Sequence, residues 1–169
     1  HSLREIHRNL ADYGIDISLL TMIDYINAAL NTKLLSKCYL YDVKNKNTIT
    51  SKVQYFFGDA GIRKSFCDEC DLWENILYIE LRRNGYEVTG WLNGRFQFAF
   101  YTEKQWKKIS IAFDTSEDKN EVRKTARKLE KLWDTSKKFV IVPDKTTLNI
   151  RKYQEDSVYI IELSELLSE

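Results

Sequence analysis

Three strand-like segments in quick succession constrain the fold of this 169-residue chain more than any other feature. They read YEVTGWL, RFQFAFY and KKISIAF, and their spacing predicts an antiparallel meander. In the second segment, simple alternation puts Phe96, Phe98 and Phe100 on one face of the strand and Gln97 and Ala99 on the other. The chain is therefore expected to be built around a β-sheet.

The segments after the meander predict a helix, two more strands and a last helix. NEVRKTARKLEKLWD places apolar residues along one stripe of a helix, at Val122, Ala126, Leu129 and Leu132. FVIVP and VYII are short continuous apolar runs, typical of buried strands, and ELSELL predicts the closing helix. The predicted fold class is α/β (α+β), with a mixed sheet flanked by helices.

The first part of the chain predicts a winged-helix-like segment. Apolar residues recur at helical spacing from Leu3 to Leu10 and from Leu20 to Leu30, with DYGID as the break between them. The strand-like segments CYLYDV and KVQYFF then surround the polar turn KNKNT, which resembles a wing. We assign residues 1–56 to this segment and residues 57–169 to a second domain. One proline and six glycines leave no flexible linker, so the two are expected to pack together.

Charge and composition argue against several classes of protein. Lysine and arginine number 26 against 25 aspartate and glutamate residues, so the chain lacks the basic excess of a dedicated nucleic-acid binder. It has no apolar run of roughly 20 residues and no signal-peptide pattern, so we expect no membrane association and a cytoplasmic location. Cys38, Cys67 and Cys70 are expected as free thiols. We expect no metal ion and no cofactor, because CDEC has too few partner ligands for zinc.

A nucleic-acid contact would have to be local, and the first region offers four candidate residues. Arg4 and Arg8 on the first helix, with Lys44 and Lys46 at the tip of the wing, are placed for weak phosphate contacts. The candidate recognition helix, SLLTMIDYINAALNTK, contains no arginine that could contact base edges. DNA binding therefore remains open beside a domain-interaction role for the same segment.

Three motifs in order carry a resemblance to a known family. GDAGIR supplies Asp59 to Arg63, LWEN supplies Leu72 to Asn75, and ELRRNGY supplies Glu80 to Tyr86, after which come a meander and KFVIVPD. This order resembles the C-terminal domain of unknown function that follows the ATPase module in many prokaryotic AAA+-like ATP-binding proteins. The resemblance covers nearly the whole chain. It implies a winged helix followed by a restriction-endonuclease-like domain of the PD-(D/E)xK type.

A nuclease of that type needs two acidic groups for a divalent cation and a lysine near the attacked water. In the family, the first strand carries Glu-Ile-Asp-Phe and the next carries Ile-Glu-Val-Lys, and the aligned segments here are RFQF and ISIA. Gln97 therefore stands at the Asp position, Ser110 at the acid position and Ala112 at the lysine position. Glu80, on the preceding helix, is the one acid that remains. We interpret the site as degenerate, with no catalytic residue.

The resulting hypothesis is a non-catalytic binding or regulatory module of a larger AAA+-like ATPase. The chain has no G-x-x-x-x-G-K-[ST] sequence, so the ATPase module of the same full-length protein would be its first partner. DNA and a second copy of the chain are further candidate partners. The alternative is a metal-dependent nuclease with relocated ligands, in which Asp59, Asp71 or Asp114 joins Glu80. A third hypothesis is an assembly element whose aromatic surface contains Trp73, Trp91 and Trp106.

Overall fold

The computed structural model describes residues 2–42, 45–66, 72–93, 96–105, 107–116, 118–132, 135–143, 153–155 and 157–166. Within these ranges, it describes the backbone alone for residues 52, 92–93, 96–99 and 153–155. Cys67, Cys70, Asp71 and Trp106, which the sequence singled out, lie outside the described residues.

The described residues form six helices and eight strands. The helices are α1 (Leu3–Asp12), α2 (Leu19–Asn31), α3 (Ala60–Phe66), α4 (Trp73–Arg83), α5 (Lys119–Glu130) and α6 (Leu163–Leu166). The strands are β1 (Leu35–Asp42), β2 (Asn47–Phe57), β3 (Glu87–Asn93), β4 (Phe96–Lys104), β5 (Lys107–Phe113), β6 (Lys137–Val142), β7 (Tyr153–Glu155) and β8 (Val158–Glu162). Among the described helices, none has both the length and the apolar character needed to cross a bilayer.

Short polar side chains set where three of the helices begin. Ser2 accepts a hydrogen bond from the Glu5 N–H, and the Glu5 carboxylate accepts one from the Ser2 N–H, which together form a capping box at the start of α1. Ser18 caps α2, and Asp118 accepts from the Asn120 N–H at the start of α5. These bonds satisfy backbone donors that have no partner inside the helix.

The eight strands form one mixed sheet in the order β2-β1-β3-β4-β5-β6-β8-β7. Strands β3, β4 and β5 pair antiparallel, which confirms the predicted meander. The β5–β6 and β6–β8 pairs are parallel, and both β6 and β8 carry buried apolar residues, as continuous apolar runs predict. The predicted fold class, a mixed sheet flanked by helices, is confirmed, and it is consistent with a restriction-endonuclease-like α+β fold.

The core lies on both faces of the sheet. On one face, Val122, Ala126 and Leu129 of α5 pack with Trp91 and Ala112 of the sheet. We call this the α5 face. On the opposite face, Leu77, Tyr78 and Leu81 of α4 pack with Phe100 and Ile111. We call this the α4 face, and Leu163 at the start of α6 belongs to the same cluster.

The first two helices and the β1–β2 hairpin have the order expected of a winged helix, but the hairpin is not separate from the rest. Strand β1 pairs with β3 in parallel, through Leu40 opposite Gly90, so hydrogen bonding continues across the predicted domain boundary. Residues 47–57 form the edge strand beside β1. The winged-helix assignment and the boundary at residues 56 and 57 stay predictions.

One detail of the meander differs from the expected alternation. In the β3–β4 pair, Gly90 lies opposite Phe100, whereas the next residue, Trp91, lies opposite Phe98. The extra residue on β4 is a bulge, which interrupts the two-residue period of a strand. The backbone register therefore does not follow the uninterrupted alternation predicted for residues 96–100.

Candidate functional site

The Asp59 motif begins a short helix. The Asp59 carboxylate accepts a hydrogen bond from the Ile62 N–H at 2.9 Å, and a Cβ on Gly61 would lie 3.0 Å from that carboxylate oxygen. The motif therefore combines a side-chain cap with a residue small enough to leave room for it. Asp59 and Gly61 therefore both have a structural role at the start of α3, and this role does not require a metal ion.

The Asn75 side chain joins α4 to the edge of the sheet. Its Oδ1 accepts from the Phe57 N–H at 2.9 Å, and its Nδ2 donates to the Phe57 carbonyl at 3.0 Å. Asn75 is 1% exposed. Because β2 is an edge strand, its outer backbone groups have no neighbouring strand to pair with, and this amide takes that place. The Leu-Trp-Glu-Asn motif therefore has a structural role at Asn75.

The third motif, Glu80 to Tyr86, ends α4. The Gly85 N–H donates to the Arg82 carbonyl and the Tyr86 N–H donates to the Leu81 carbonyl, which is the bond pattern of a Schellman motif. Gly85 has φ of +79°, a conformation that a residue with a Cβ rarely adopts. Glycine at this position turns the chain from α4 into β3.

Glu80 lies at this end of α4, partly exposed and paired with an arginine. Its Oε1 accepts from Arg83 at 2.7 Å, and the side chain is 28% exposed. The pair joins residues three apart on one helix, a common arrangement at a helix surface. Exposed pairs of this kind contribute little to stability.

Glu80 also lines a cavity of about 430 Å³ between α4, the sheet and α6. Four lysines line the same cavity: Lys104, Lys107, Lys108 and Lys137. We call it the lysine cleft. Its apolar part includes Ile109, Phe139 and Leu166. Sequence reasoning missed this site, because the lysines belong to three different strands and only the pairing register brings them together.

Ser110 and Ala112 lie on the α5 face, away from Glu80. Ser110 is 0% exposed, and its hydroxyl is 2.7 Å from that of Ser136. Ala112 packs in the cluster that contains α5, whereas Ile111, between these two residues, packs in the cluster that contains α4. Side chains alternate between the two faces of a strand. The structure therefore places Glu80 apart from Ser110 and Ala112, the two strand positions of the site that the sequence predicts to be degenerate.

Among the acidic candidates, Asp114 lies at the other end of β5 from Glu80. Asp114 follows the last residue of β5 and accepts hydrogen bonds from the Ser116 N–H and from the Thr125 hydroxyl. Glu80 lines the cleft at the beginning of β5, about 20 Å away along a strand of this length. Gln97 is described only by its backbone, opposite Leu92. Among the described residues, no three His, Cys, Asp or Glu side chains form a group that could hold a metal ion.

The predicted nucleic-acid residues lie apart from the lysine cleft. Arg4 and Arg8 are exposed on α1, and Arg4 lines a shallow cavity of about 370 Å³ together with Lys37 of β1. Lys46 is exposed in the turn between β1 and β2, with φ of +52°. Lys44 lies outside the described residues. The structure therefore brings Arg4 to the hairpin, and neither Arg8 nor Lys46 lines that cavity.

The proposed tryptophan surface is not supported as one exposed patch. Trp91 is 0% exposed in the core of the α5 face, whereas Trp73 at the start of α4 is 40% exposed. These two rings therefore cannot form a common docking platform. The third hypothesis therefore does not hold for Trp91, because the β3 register turns its side chain into the core.

Burial shifts the acidity of two side chains in the α4-face cluster. Burial raises the pKa of the Cys38 thiol to about 12. Burial also raises the pKa of the Tyr78 hydroxyl, and the nearby Cys38 raises it further. Both groups stay protonated at neutral pH, so Cys38 packs as a small apolar residue rather than acting as a nucleophile.

Comparison with known proteins gives one informative similarity. No family model matches the chain, and no solved structure matches it. An uncharacterized protein of Haemophilus influenzae is 27% identical over 124 residues. The matched region is 69% of this chain and 31% of that protein. The chain therefore resembles a minor part of a longer bacterial protein.

Proposed function

We propose that this chain is a non-catalytic binding module, the C-terminal part of a larger prokaryotic AAA+-like ATPase that works in the cytoplasm. The observation that carries the proposal is the separation of Glu80 from Ser110 and Ala112 by the thickness of the sheet. A cation site needs its acidic ligands on one side of one cavity. The positions that would hold a nuclease centre are instead a packed core and an ion pair at a helix surface.

Two further observations support a module that docks onto other parts of a protein. The relative from Haemophilus influenzae is about three times longer than the matched region, which is 31% of its length. Tyr13, the residue that caps the end of α1, is 83% exposed, and in α2 Leu20 is 74% exposed and Tyr25 is 66% exposed. Large apolar side chains that are exposed to this degree favour a covering partner. The ATPase module of the same full-length protein is the partner that we propose for them.

The metal-dependent nuclease remains the competing function, and one experiment separates the two. Mg²⁺ and Mn²⁺ are titrated into the purified chain by calorimetry, and cleavage of labelled duplex and single-stranded DNA is scored on the same samples. We expect no stoichiometric metal binding and no cleavage. Glu87→Gln, which removes an exposed carboxylate outside the lysine cleft, is the control for Glu80→Gln. Metal-dependent cleavage that only the Glu80→Gln change abolishes would refute the proposal.

A further inference from the structure

We propose that the lysine cleft and the neighbouring Phe139–Tyr159 pair bind single-stranded nucleic acid. The inference names a ligand for the binding module proposed above and rests on that proposal. It concerns a surface distinct from Arg4, Arg8 and Lys46, which belong to the first helix and the hairpin.

The pairing register places three of the lysines close together on the α4 face. Lys104 lies opposite Lys107 in the β4–β5 pair, and Lys137 lies opposite Ile109 in the β5–β6 pair. Neighbouring strands are about 4.8 Å apart and Lys137 is two residues further along the sheet than Lys107, so the backbones of the three lysines span about 12 Å. Like charges directly opposite each other are unfavourable in a sheet. An anion bound between them would remove that repulsion.

Charge in the cleft is strongly one-sided. Among its described lining residues, Glu80 is the one carboxylate against four lysines, and Glu80 is already paired with Arg83. Lys104 donates to the Asn84 carbonyl at 2.6 Å and lies 5.3 Å from the centre of the Tyr86 ring. In the described part of the chain, no carboxylate lies within ion-pair distance of Lys107 or Lys137. Exposed ammonium groups without acidic partners attract phosphate.

An aromatic pair continues the same face of the sheet beyond the lysines. Phe139 lines the cleft, and its ring is 5.5 Å from that of Tyr159, with 30° between the ring planes. Phe139 is opposite Tyr159 in the β6–β8 pair, and it is two residues from Lys137 on the same side of β6. Tyr159 is 38% exposed. A basic groove beside an exposed ring is the arrangement by which proteins hold unpaired bases.

This combination favours a single strand over the other polyanions. An acidic protein segment would satisfy the lysines but has no need of the exposed ring of Tyr159. A DNA duplex offers phosphates, but its stacked bases cannot reach a ring on the surface of a sheet. An unpaired strand uses both, with phosphates at Lys107 and Lys137 and a base at Tyr159.

The test is fluorescence anisotropy with a labelled oligothymidylate of about 20 nucleotides, in EDTA, at several salt concentrations. Lys107→Gln with Lys137→Gln should weaken binding on the order of tenfold, and should reduce the log–log salt slope by about 1.4. Tyr159→Leu should weaken binding on the order of tenfold with an unchanged slope. Glu80→Gln should strengthen binding, because it removes the carboxylate of the cleft.

The matched control is Lys64→Gln with Lys119→Gln, which removes an exposed lysine on α3 and a partly exposed lysine at the start of α5. Its affinity should stay within about twofold of the unmodified chain. Circular dichroism melts confirm that every variant is folded. Equal effects of the two double variants, or no effect of Tyr159→Leu, would overturn the inference.

Competition identifies the class of ligand. Unlabelled oligothymidylate should displace the probe at lower concentration than duplex DNA or oligoglutamate. A stronger effect of oligoglutamate would assign the cleft to an acidic protein segment and would also overturn the inference. Cleavage of the probe after Mg²⁺ is added would instead refute the proposed non-catalytic function, so the two failures can be distinguished.

Discussion

The hydrogen bonds of Asn75 make the sharpest test of how α4 is attached to the sheet. Asn75→Ala removes both hydrogen bonds to Phe57, so the Phe57 N–H and the Phe57 carbonyl lose their side-chain partner. A neutral hydrogen bond contributes about 1 kcal/mol, and leaving a buried polar group unpaired costs about 1–3 kcal/mol. Phe57 is only partly buried, so water replaces some of the loss. We expect a destabilisation of about 2–4 kcal/mol, or roughly 5–15 °C in Tm for a chain of this size.

Asn75→Asp adds a pH dependence with a defined sign. The introduced carboxylate can still accept from the Phe57 N–H, but its second oxygen faces the Phe57 carbonyl where an N–H donated before. Burial and this contact raise the folded-state pKa of the new carboxyl above the unfolded value of about 3.9. The variant is therefore closest to the unmodified chain below that unfolded value, where the carboxyl donates as a neutral acid. Its deficit grows as the pH rises through the folded-state pKa.

The measurement is urea unfolding of the unmodified chain and both variants between about pH 4 and pH 7. Asn9, exposed on α1, is the matched control, and Asn9→Ala should change stability by less than about 1 kcal/mol. A loss below about 1 kcal/mol for Asn75→Ala would refute the role of the two bonds. If Asn75→Asp loses the same unfolding free energy at every pH, the assignment of Asn75 as hydrogen-bond donor to the Phe57 carbonyl is refuted.

Three further predictions concern the core and the degenerate site. Cys38 should resist alkylation in the native chain, because a thiol with a pKa of about 12 is only ~10⁻⁴ thiolate at about pH 8. Mass spectrometry after iodoacetamide treatment measures the modified fraction, and rapid modification of the native chain would contradict the prediction. Gly58→Ala should lower the free energy of unfolding by about 2 kcal/mol or more, because a Cβ there would lie 2.3 Å from the Lys33 carbonyl oxygen. Thermal melts of the variant and of the unmodified chain measure the difference. Ser110→Glu with Ala112→Lys introduces, in a buried layer, the acid and lysine that the family resemblance implies for these positions, so it should destabilise the chain by several kcal/mol and give no Mg²⁺-dependent cleavage. Cleavage by a folded double variant would show that these positions can form a site.

Much of the fold follows from local sequence. The apolar stripe of α5 and the continuous apolar runs of β6 and β8 report burial directly, because each pattern has the period of its own element. The β4 bulge could not be read in the same way. A single extra residue leaves the composition of the strand unchanged and alters only its pairing with β3. The parallel β1–β3 pairing also joins segments far apart in sequence, so no local pattern encodes it.

The candidate site was predicted less well, for a related physical reason. The family resemblance assigns Glu80, Ser110 and Ala112 to one site from the order of their motifs along the chain. Side chains of a strand, however, alternate between the two faces of the sheet, and the motif order does not say which face each residue occupies. The lysine cleft shows the reverse case, because it is a site in the structure that has no motif in the sequence. Lys104, Lys107 and Lys137 have no motif spacing, and they become a site only when three strands are paired in register.

The residues that carry the family resemblance and the residues that would carry nuclease chemistry belong to separate sets. Asp59 caps a helix, Asn75 attaches α4 to the edge strand, and Gly85 turns α4 into β3, so each has a folding role that is independent of any metal. None of these contacts needs an acid or a lysine in the sheet, and uncharged residues such as Ser110 and Ala112 carry no charge-desolvation cost when buried. The fold of this chain therefore does not depend on catalytic residues in the sheet. On the surface beside Glu80, the exposed charges of Lys107 and Lys137 have no acidic partners among the described residues, which is the observation on which the proposed binding role rests.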